Sequence, residues 1–342
     1  MQILDVGRSD AQQRLDKYLF RIFPGAPRSF IYRMLRKKNI VLNGKKAEPS
    51  AIISENDRIT CYFSDETYQH FREAATGTAV SGKTPVKPDD GAEEATGFYL
   101  AHKDDVRILY EDSDMAALDK PAGMFSQPQG SDLSAAEWLT GRELFEGRIT
   151  EDQLAYFRPA PCHRLDRNTS GILLCAKTVR AASLLSAMFR DRTGEKEYSL
   201  IVQGTPPRTG IIEGILKKDE ASGKMILLPG SPSDPGYSRT EYTRIRSGNG
   251  ISMVQALLIT GRTHQLRVHM SEAGFPIIGD PLYGDADVNR SWRAKGVRRQ
   301  LLHCSRIRLS DEVSTYMGPP GGEIRSPLPE IFKKCIGLTG GK

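Results

Sequence analysis

Cysteine is scarce in this sequence, with five in 342 residues, at positions 61, 162, 175, 304 and 335. The number is odd and no two form a Cys-x-x-Cys pair, so neither a disulfide framework nor a zinc site is indicated. Cys175 lies in an apolar run, where a free thiol behaves as a small hydrophobe, and all five read as reduced structural thiols. Long hydrophobic runs are missing too. No stretch approaches the ~20 residues that a membrane helix requires, and the start of the chain has no apolar signal-peptide core. A cytoplasmic protein without a membrane partner is expected. Nor does one charge dominate: 48 Lys and Arg face 42 Asp and Glu, a net +6. That mild basicity favours a polyanionic partner without establishing one. At 342 residues, 39% of them hydrophobic, the chain can build about two domains and a sizeable core.

The charge is unevenly distributed. Residues 1–64 carry 12 Lys and Arg against 6 Asp and Glu, a surplus of 6. Leu15, Leu19, Ile22 and Phe23 fall at helical spacing. Pro24, Gly25 and Pro27 end that helix, and Ser29 is a candidate cap for a second, FIYRMLRKK. Ile31 and Leu35 would face its core, leaving Arg28, Arg33, Arg36, Lys37 and Lys38 outside. IVLNGKKAE then reads as a strand and a turn at Asn43-Gly44, beside Lys45, and RITCYF as another strand. Between Asp65 and Gly97 the composition shifts to Gly, Pro, Ala, Thr and acids with no apolar period, and 65–105 is expected to be a flexible linker or insertion. Gly77–Thr84, GTAVSGKT, matches the phosphate-loop pattern letter for letter. It lacks the preceding buried strand, and PVKPDDG cannot sustain the following helix, so a nucleotide site is not expected.

The chain is organised around CHRLDRNTSGILLCAK, 162–177. A polar turn holds Arg164, Asp166, Arg167, Asn168, Thr169 and Ser170, Gly171 relieves the backbone, and Ile172–Ala176 reads as a buried strand. A cation beside a carboxylate favours the charged form that a nucleophile or base needs. The same pattern also describes an Asp capping its own turn beside solvated arginines, and the residues alone leave both open. Elsewhere, ILYEDSDMAALDKPAG reads as a strand hairpin ending at Lys120 and Pro121. Thr178 can cap a helix through about Arg192, KEYSLIVQG is an alternating strand with Tyr198 and Leu200 on one face, and 237–259 holds two more strands. Thr263 can cap a helix covering HQLRVHMSEA, ended by Gly274. His264 and His269, five apart, are poorly spaced for a shared metal and read as hydrogen-bonding or phosphate-facing groups.

HRLDRNTSG resembles the signature of the RluA-type RNA pseudouridine synthases. LDKPAGM, K-x-Y at Lys196 and Tyr198, GRTHQLRVH, GDPLYG and LLHCSRIRL follow that family's order, although SQP after LDKPAGM departs from its usual VHP-like tail, so no role passes to Ser126 or Gln127. RLDKYL…PRSFIYRMLRKKNIVLNGKK…END resembles the S4 RNA-binding domain that precedes many such enzymes. The resemblance implies an α+β protein: a small S4-like RNA-binding module at 1–64, then a catalytic domain at 106–342 on a large mixed, mostly antiparallel sheet with flanking helices. It implies isomerisation of uridine in RNA without cofactor or metal, on a base flipped out of its stack. Asp166 becomes the catalytic residue, Arg262 its bidentate partner, and Tyr198 the residue stacking on the base. Arg28, Arg33, Arg36, Lys37, Lys38, Lys45, Lys120, Arg164, Lys196, His264 and Arg267 are the candidate RNA contacts. Asp280, Tyr283 and His303 are expected to be architectural. Large-subunit ribosomal RNA is the leading substrate and transfer RNA the alternative, with a monomer expected. Two competing classes are a glycosidase, disfavoured because the motifs supply one carboxylate where two are needed, and a catalytically idle RNA-binding or ribosome-assembly protein.

Overall fold

The computed structural model describes residues 2–23, 26–62, 67–68, 71, 90–129, 132, 134–154 and 157–338. The phosphate-loop match at 77–84 lies outside them.

The first unit builds a core from one face each of two short helices, Leu15–Ile22 and Arg28–Arg36. Leu15, Leu19, Ile22, Ile31 and Leu35 are buried there together with Ile40, Ile53 and Ile59 from the strands. The strands form a three-stranded antiparallel sheet, with Arg58–Cys61 between Gln2–Asp5 and Ile40–Leu42, and a two-stranded pair, Gln13–Arg14 with Ile52–Ile53. Asn43 and Gly44 both have positive φ, as a tight hairpin turn demands. The second helix begins after Pro27 with no side-chain cap, so Ser29 does not serve as one. Apolar packing in this unit continues past residue 64, with Tyr68 against Phe23 and Phe71 against Phe30.

The second unit is organised by a mixed eleven-stranded sheet. Its main path runs Met225–Leu228, Thr209–Lys218, Tyr237–Gly248, Ile251–Leu258, Glu195–Gln203, Leu302–Arg308, Ser170–Ala176, Met115–Lys120 and Arg107–Glu111. All of these neighbours pair antiparallel except Leu302–Arg308 with Ser170–Ala176, which pair parallel at His303–Ser170 and Cys304–Gly171. That parallel join places the exit of the Asp166 turn at the middle of the sheet. Gly171 is required there: its φ is +107°, and a Cβ would lie 2.2 Å from the Cys304 carbonyl oxygen. Ile172–Ala176 are fully buried, as the apolar run predicts.

The expected linker at 65–105 is too long. Asp90–His102 is a helix, packed on the helix Ala135–Phe145 of the larger unit. Ala92 and Ala95 are its buried residues, Gly141 of the neighbour would clash with the Ala95 carbonyl if it carried a Cβ, and Trp138 Nε1 donates to His102 O at 2.9 Å. Small residues let the two backbones approach, and the same residues give the segment the composition of a loop. The larger body therefore begins by residue 90.

Candidate active site

An open cavity of about 730 Å³ crosses the middle of this sheet. Asp166 lines it with Arg164, Arg167, Arg190, Lys196, Arg262 and Arg267, and it is the only acid among the described lining residues. Tyr198 lies in the same wall.

The turn that carries Asp166 is pinned from both sides by the segment 120–126. Ser126 Oγ accepts the Leu165 N–H at 3.0 Å and donates to the Leu165 carbonyl at 2.9 Å, so a buried hydroxyl holds both backbone groups of the residue before Asp166. On the other side, the Arg167 carbonyl accepts from Gly123 N at 2.7 Å and from Lys120 Nζ at 3.2 Å. Lys120 Nζ also donates to the carbonyls of Pro121 and Met124, at 3.0 and 2.8 Å. Burial pushes this ammonium down to about 7, against the pull of nearby Asp166. The sequence places Lys120 at the RNA surface; the structure corrects this, for it is wholly buried and spends its donors on three backbone carbonyls. His163 is a second internal clasp, its Nε2 accepting the Leu174 N–H at 3.1 Å, and burial pushes it down to about 3, so it is neutral.

The arginine that grips Asp166 is not Arg262. Arg262 is exposed, and its Nε donates to the Tyr237 carbonyl at 3.3 Å. Arg267 NH1 reaches Asp166 Oδ2 at 3.1 Å, while its Nε and NH2 hold Asp280 bidentately at 2.7 and 2.9 Å. The cause is where the helix starts. Thr263 does not cap it; His264 sits in the left-handed region at φ +57°, and the helix runs Gln265–Glu272. This entry turns the inner face of the helix so that His264 and Arg267, not Arg262, face the carboxylate. Arg267 is buried, so it is not a phosphate contact. His264 Nε2 lies 4.0 Å from Asp166 Oδ2, its Nδ1 is 2.9 Å from the Tyr283 hydroxyl, and burial lowers its pKa. Asp280, itself fully buried, also accepts the backbone N–H groups of Leu282 and Tyr283 at 2.9 and 3.1 Å.

Tyr198 is buried, and burial first, then the adjacent Cys304 thiol, push its phenol well above the ordinary value. Lys196 lies over the Phe189 ring at 4.7 Å, with its pKa lowered by burial. Arg164 is exposed at the cavity mouth. Far from this cavity in sequence, Arg28, Arg33, Arg36, Lys37, Lys38 and Lys45 are all exposed on the first unit. Among the described residues, no group of three or more His, Cys, Asp or Glu could hold a metal ion, and no helix is long and apolar enough to cross a membrane.

Residues 114–272 match the family model for RNA pseudouridylate synthase and residues 13–59 that for the S4 domain. The ribosomal large subunit pseudouridine synthase C of Pasteurella multocida is 31% identical over 98% of this chain and 93% of its own length. This chain belongs to the RNA pseudouridylate synthase family. The Escherichia coli K12 protein of the same description is 29% identical over 98% of this chain and 96% of its own. Human RNA pseudouridylate synthase domain containing 4 superposes with a TM-score of 0.54 at 23% identity, over 72% of this chain and 96% of that one, in line with the shared fold. The S4 match coincides with the basic first unit, and the synthase match spans every element that positions Asp166 except the segment carrying Asp280 and the strand Leu302–Arg308.

Proposed function

We propose that this enzyme isomerises uridine to pseudouridine in large-subunit ribosomal RNA, with Asp166 as the group that breaks the N1–C1′ bond. The observation that carries this reading is a single carboxylate, held by Arg267 and pinned through both neighbouring residues, at the centre of an otherwise cationic cavity. Fixed placement of one reactive group is worth several kcal/mol of barrier. One acid does not fit the paired-carboxylate arrangement of a glycosidase. The substrate assignment draws on the large-subunit enzymes that resemble this chain across nearly its whole length.

A uridine must leave its stack to reach Asp166. The carboxylate either attacks C1′ or removes the C2′ proton. In both cases the N1–C1′ bond breaks with its electron pair going to the uracil, which rotates and rejoins C1′ through C5. In the first route the ester to Asp166 breaks as the new bond forms; in the second Asp166 returns its proton to C2′. Either way a free carboxylate stands beside the product when the C5 proton must be taken. Tyr198 keeps its phenolic proton because it is buried, which suits stacking and hydrogen-bond donation better than deprotonation. Arg164, Lys196 and Arg262 supply positive charge to the backbone of the entering strand, and the exposed cations of the S4 unit add sequence-independent affinity.

The test is a map of pseudouridines in ribosomal RNA from a strain lacking the gene. One or more large-subunit positions should revert to uridine, be restored by the wild-type gene, and stay unmodified with Asp166→Asn. An unchanged map would end the ribosomal assignment, and restoration by the Asn variant would remove Asp166 from the chemistry.

A further inference from the structure

Gln300 sits just before the strand Leu302–Arg308 and forms part of the wall of the Asp166 cavity. Only 4% of it is exposed. Its amide nitrogen donates to Thr169 Oγ1 at 3.4 Å, and Thr169 belongs to the same turn as Asp166, whose carbonyl accepts the Thr169 N–H at 3.0 Å. Its amide oxygen, Oε1, is buried and has no hydrogen-bond donor among the described residues. A buried amide oxygen left unpaired costs free energy that a folded protein seldom tolerates without a use. No donor among the described residues reaches it, and Gln300 lines the cavity, so a ligand bound there can bring the complementary donor.

We propose that Gln300 is a specificity-determining residue, its side-chain carbonyl accepting the N3–H of the flipped target uracil. This deepens the uridine reading given above and rests on it. Uracil presents N3–H between two carbonyls. Cytosine presents a bare ring nitrogen at the same point, and two facing lone pairs repel, so one oxygen separates the two pyrimidines. A site built to hydrogen-bond a substrate group rejects analogues that lack it far more strongly than an apolar pocket does, because its own polar atom is then stranded. The Thr169 contact fixes the amide relative to the turn, so the base would be read in the frame of the reacting carboxylate. Tyr198 and Leu302, in the same wall, offer the flat apolar surface on which the ring rests.

The experiment uses the full chain and a hairpin RNA containing a uridine mapped as above. Its counterpart carries 3-methyluridine at that position, which replaces the N3–H. Binding to both hairpins is measured in the Asp166→Asn background, where no turnover intervenes. With Gln300 present, the methylated hairpin should bind at least about tenfold more weakly, the scale of one buried hydrogen bond and its stranded partner. Gln300→Met, of similar size without an acceptor, should shrink that ratio to about twofold. Gln300→Glu, which keeps a carbonyl at the same reach, should restore most of it. Gln300→Leu is measured alongside, so that a folding failure of one variant leaves another to decide. A ratio unchanged by Met or Leu would overturn the proposal and assign Oε1 to a bound water instead. A wild-type enzyme that makes no pseudouridine in the uridine hairpin would defeat the functional reading itself. Wild-type turnover with an unchanged ratio would defeat only the role of Gln300.

Discussion

Replacing Arg267 by lysine isolates what the guanidinium contributes to the site. The arginine spends three nitrogens on two carboxylates: Nε and NH2 on Asp280 at 2.7 and 2.9 Å, NH1 on Asp166 at 3.1 Å. An ammonium is one point of charge and cannot span both acids. It should settle on Asp280, whose side chain has 0% exposure and no water to replace the missing partner, whereas the Asp166 side chain is 28% exposed and can be hydrated. The fold then loses about one charge-assisted hydrogen bond, ~1–3 kcal/mol. Asp166 loses its side-chain anchor, and a misplacement of about 1 Å can cost ~100-fold in rate. The assay is single-turnover tritium release from C5-labelled RNA at saturating enzyme, beside RNA binding and chemical denaturation. A drop of about a hundredfold with RNA affinity within about threefold is expected, since Arg267 is buried and beyond the reach of phosphate. Arg262→Lys is the control: its guanidinium is exposed and bound to a backbone carbonyl, so its rate should stay near wild type, while Arg262→Ala weakens RNA binding. A near-wild-type rate for Arg267→Lys would refute the clamp. Full loss of rate in Arg262→Lys would show that the entering RNA redistributes the two arginines.

The other predictions concern the first unit and the response to acid. A chain beginning at residue 90 should fold, because buried Asp114, on losing the half-exposed Arg8, keeps Ser113, Thr178 and Tyr316 as donors. Its plot of log affinity against log salt should flatten by ~0.7–0.9 for each RNA phosphate that the S4 unit neutralises in the full chain, and an unchanged slope would place that unit outside the RNA interface. Burial holds His269 neutral, pushed down to about 4 from an ordinary 6.5, with Nε2 bonded to Ser238 Oγ at 2.8 Å. Between those two values the unfolded chain binds a proton that the folded chain does not. The stability is therefore full above about pH 6.5 and falls as pH drops toward 4, by ~2 kcal/mol at pH 5. His269→Gln should remove about that much of the loss between pH 7.5 and 5 in urea denaturation; a pH slope equal to wild type would contradict the assignment.

Local pattern is sufficient where function and neighbours lie close in sequence. The Asp166 turn, its glycine and the buried strand Ile172–Ala176 are contiguous, so the nature of the site is legible from one run of residues. Thr178 does cap its helix, accepting from Ala181 N. The arginine partner is not legible, because Arg262 and Arg267 lie in one segment and the choice between them depends on the left-handed entry at His264, which no residue type announces. Lys120 misleads for a different reason: a lysine at a turn is ordinarily solvated, and the carbonyls that trap this one include Arg167, 47 positions away. Gln300 leaves no signal at all. An unpaired oxygen is a property of packing, visible only once Thr169 and the cavity wall are in place.

These misses share a cause that bears on how the site works. Lys120, Ser126 and Arg267 are all buried polar groups, and each costs desolvation unless its partners are in place. Their hydrogen bonds converge on the three residues Leu165, Asp166 and Arg167, on two backbones and one side chain. A catalytic turn held by apolar packing alone could slide or change rotamer at little cost. Here, shifting the turn takes a bond at once from Lys120, from Ser126 and from Arg267, so rigidity comes from the summed cost of breaking buried hydrogen bonds. The same logic separates two kinds of cation in the cleft. Lys120 and Arg267 are committed internally, whereas Arg164 and Arg262 remain at the surface of the cavity, where phosphate is the charge they can meet. Affinity and positioning are thus assigned to different side chains, and substitutions in the two groups should separate binding from rate.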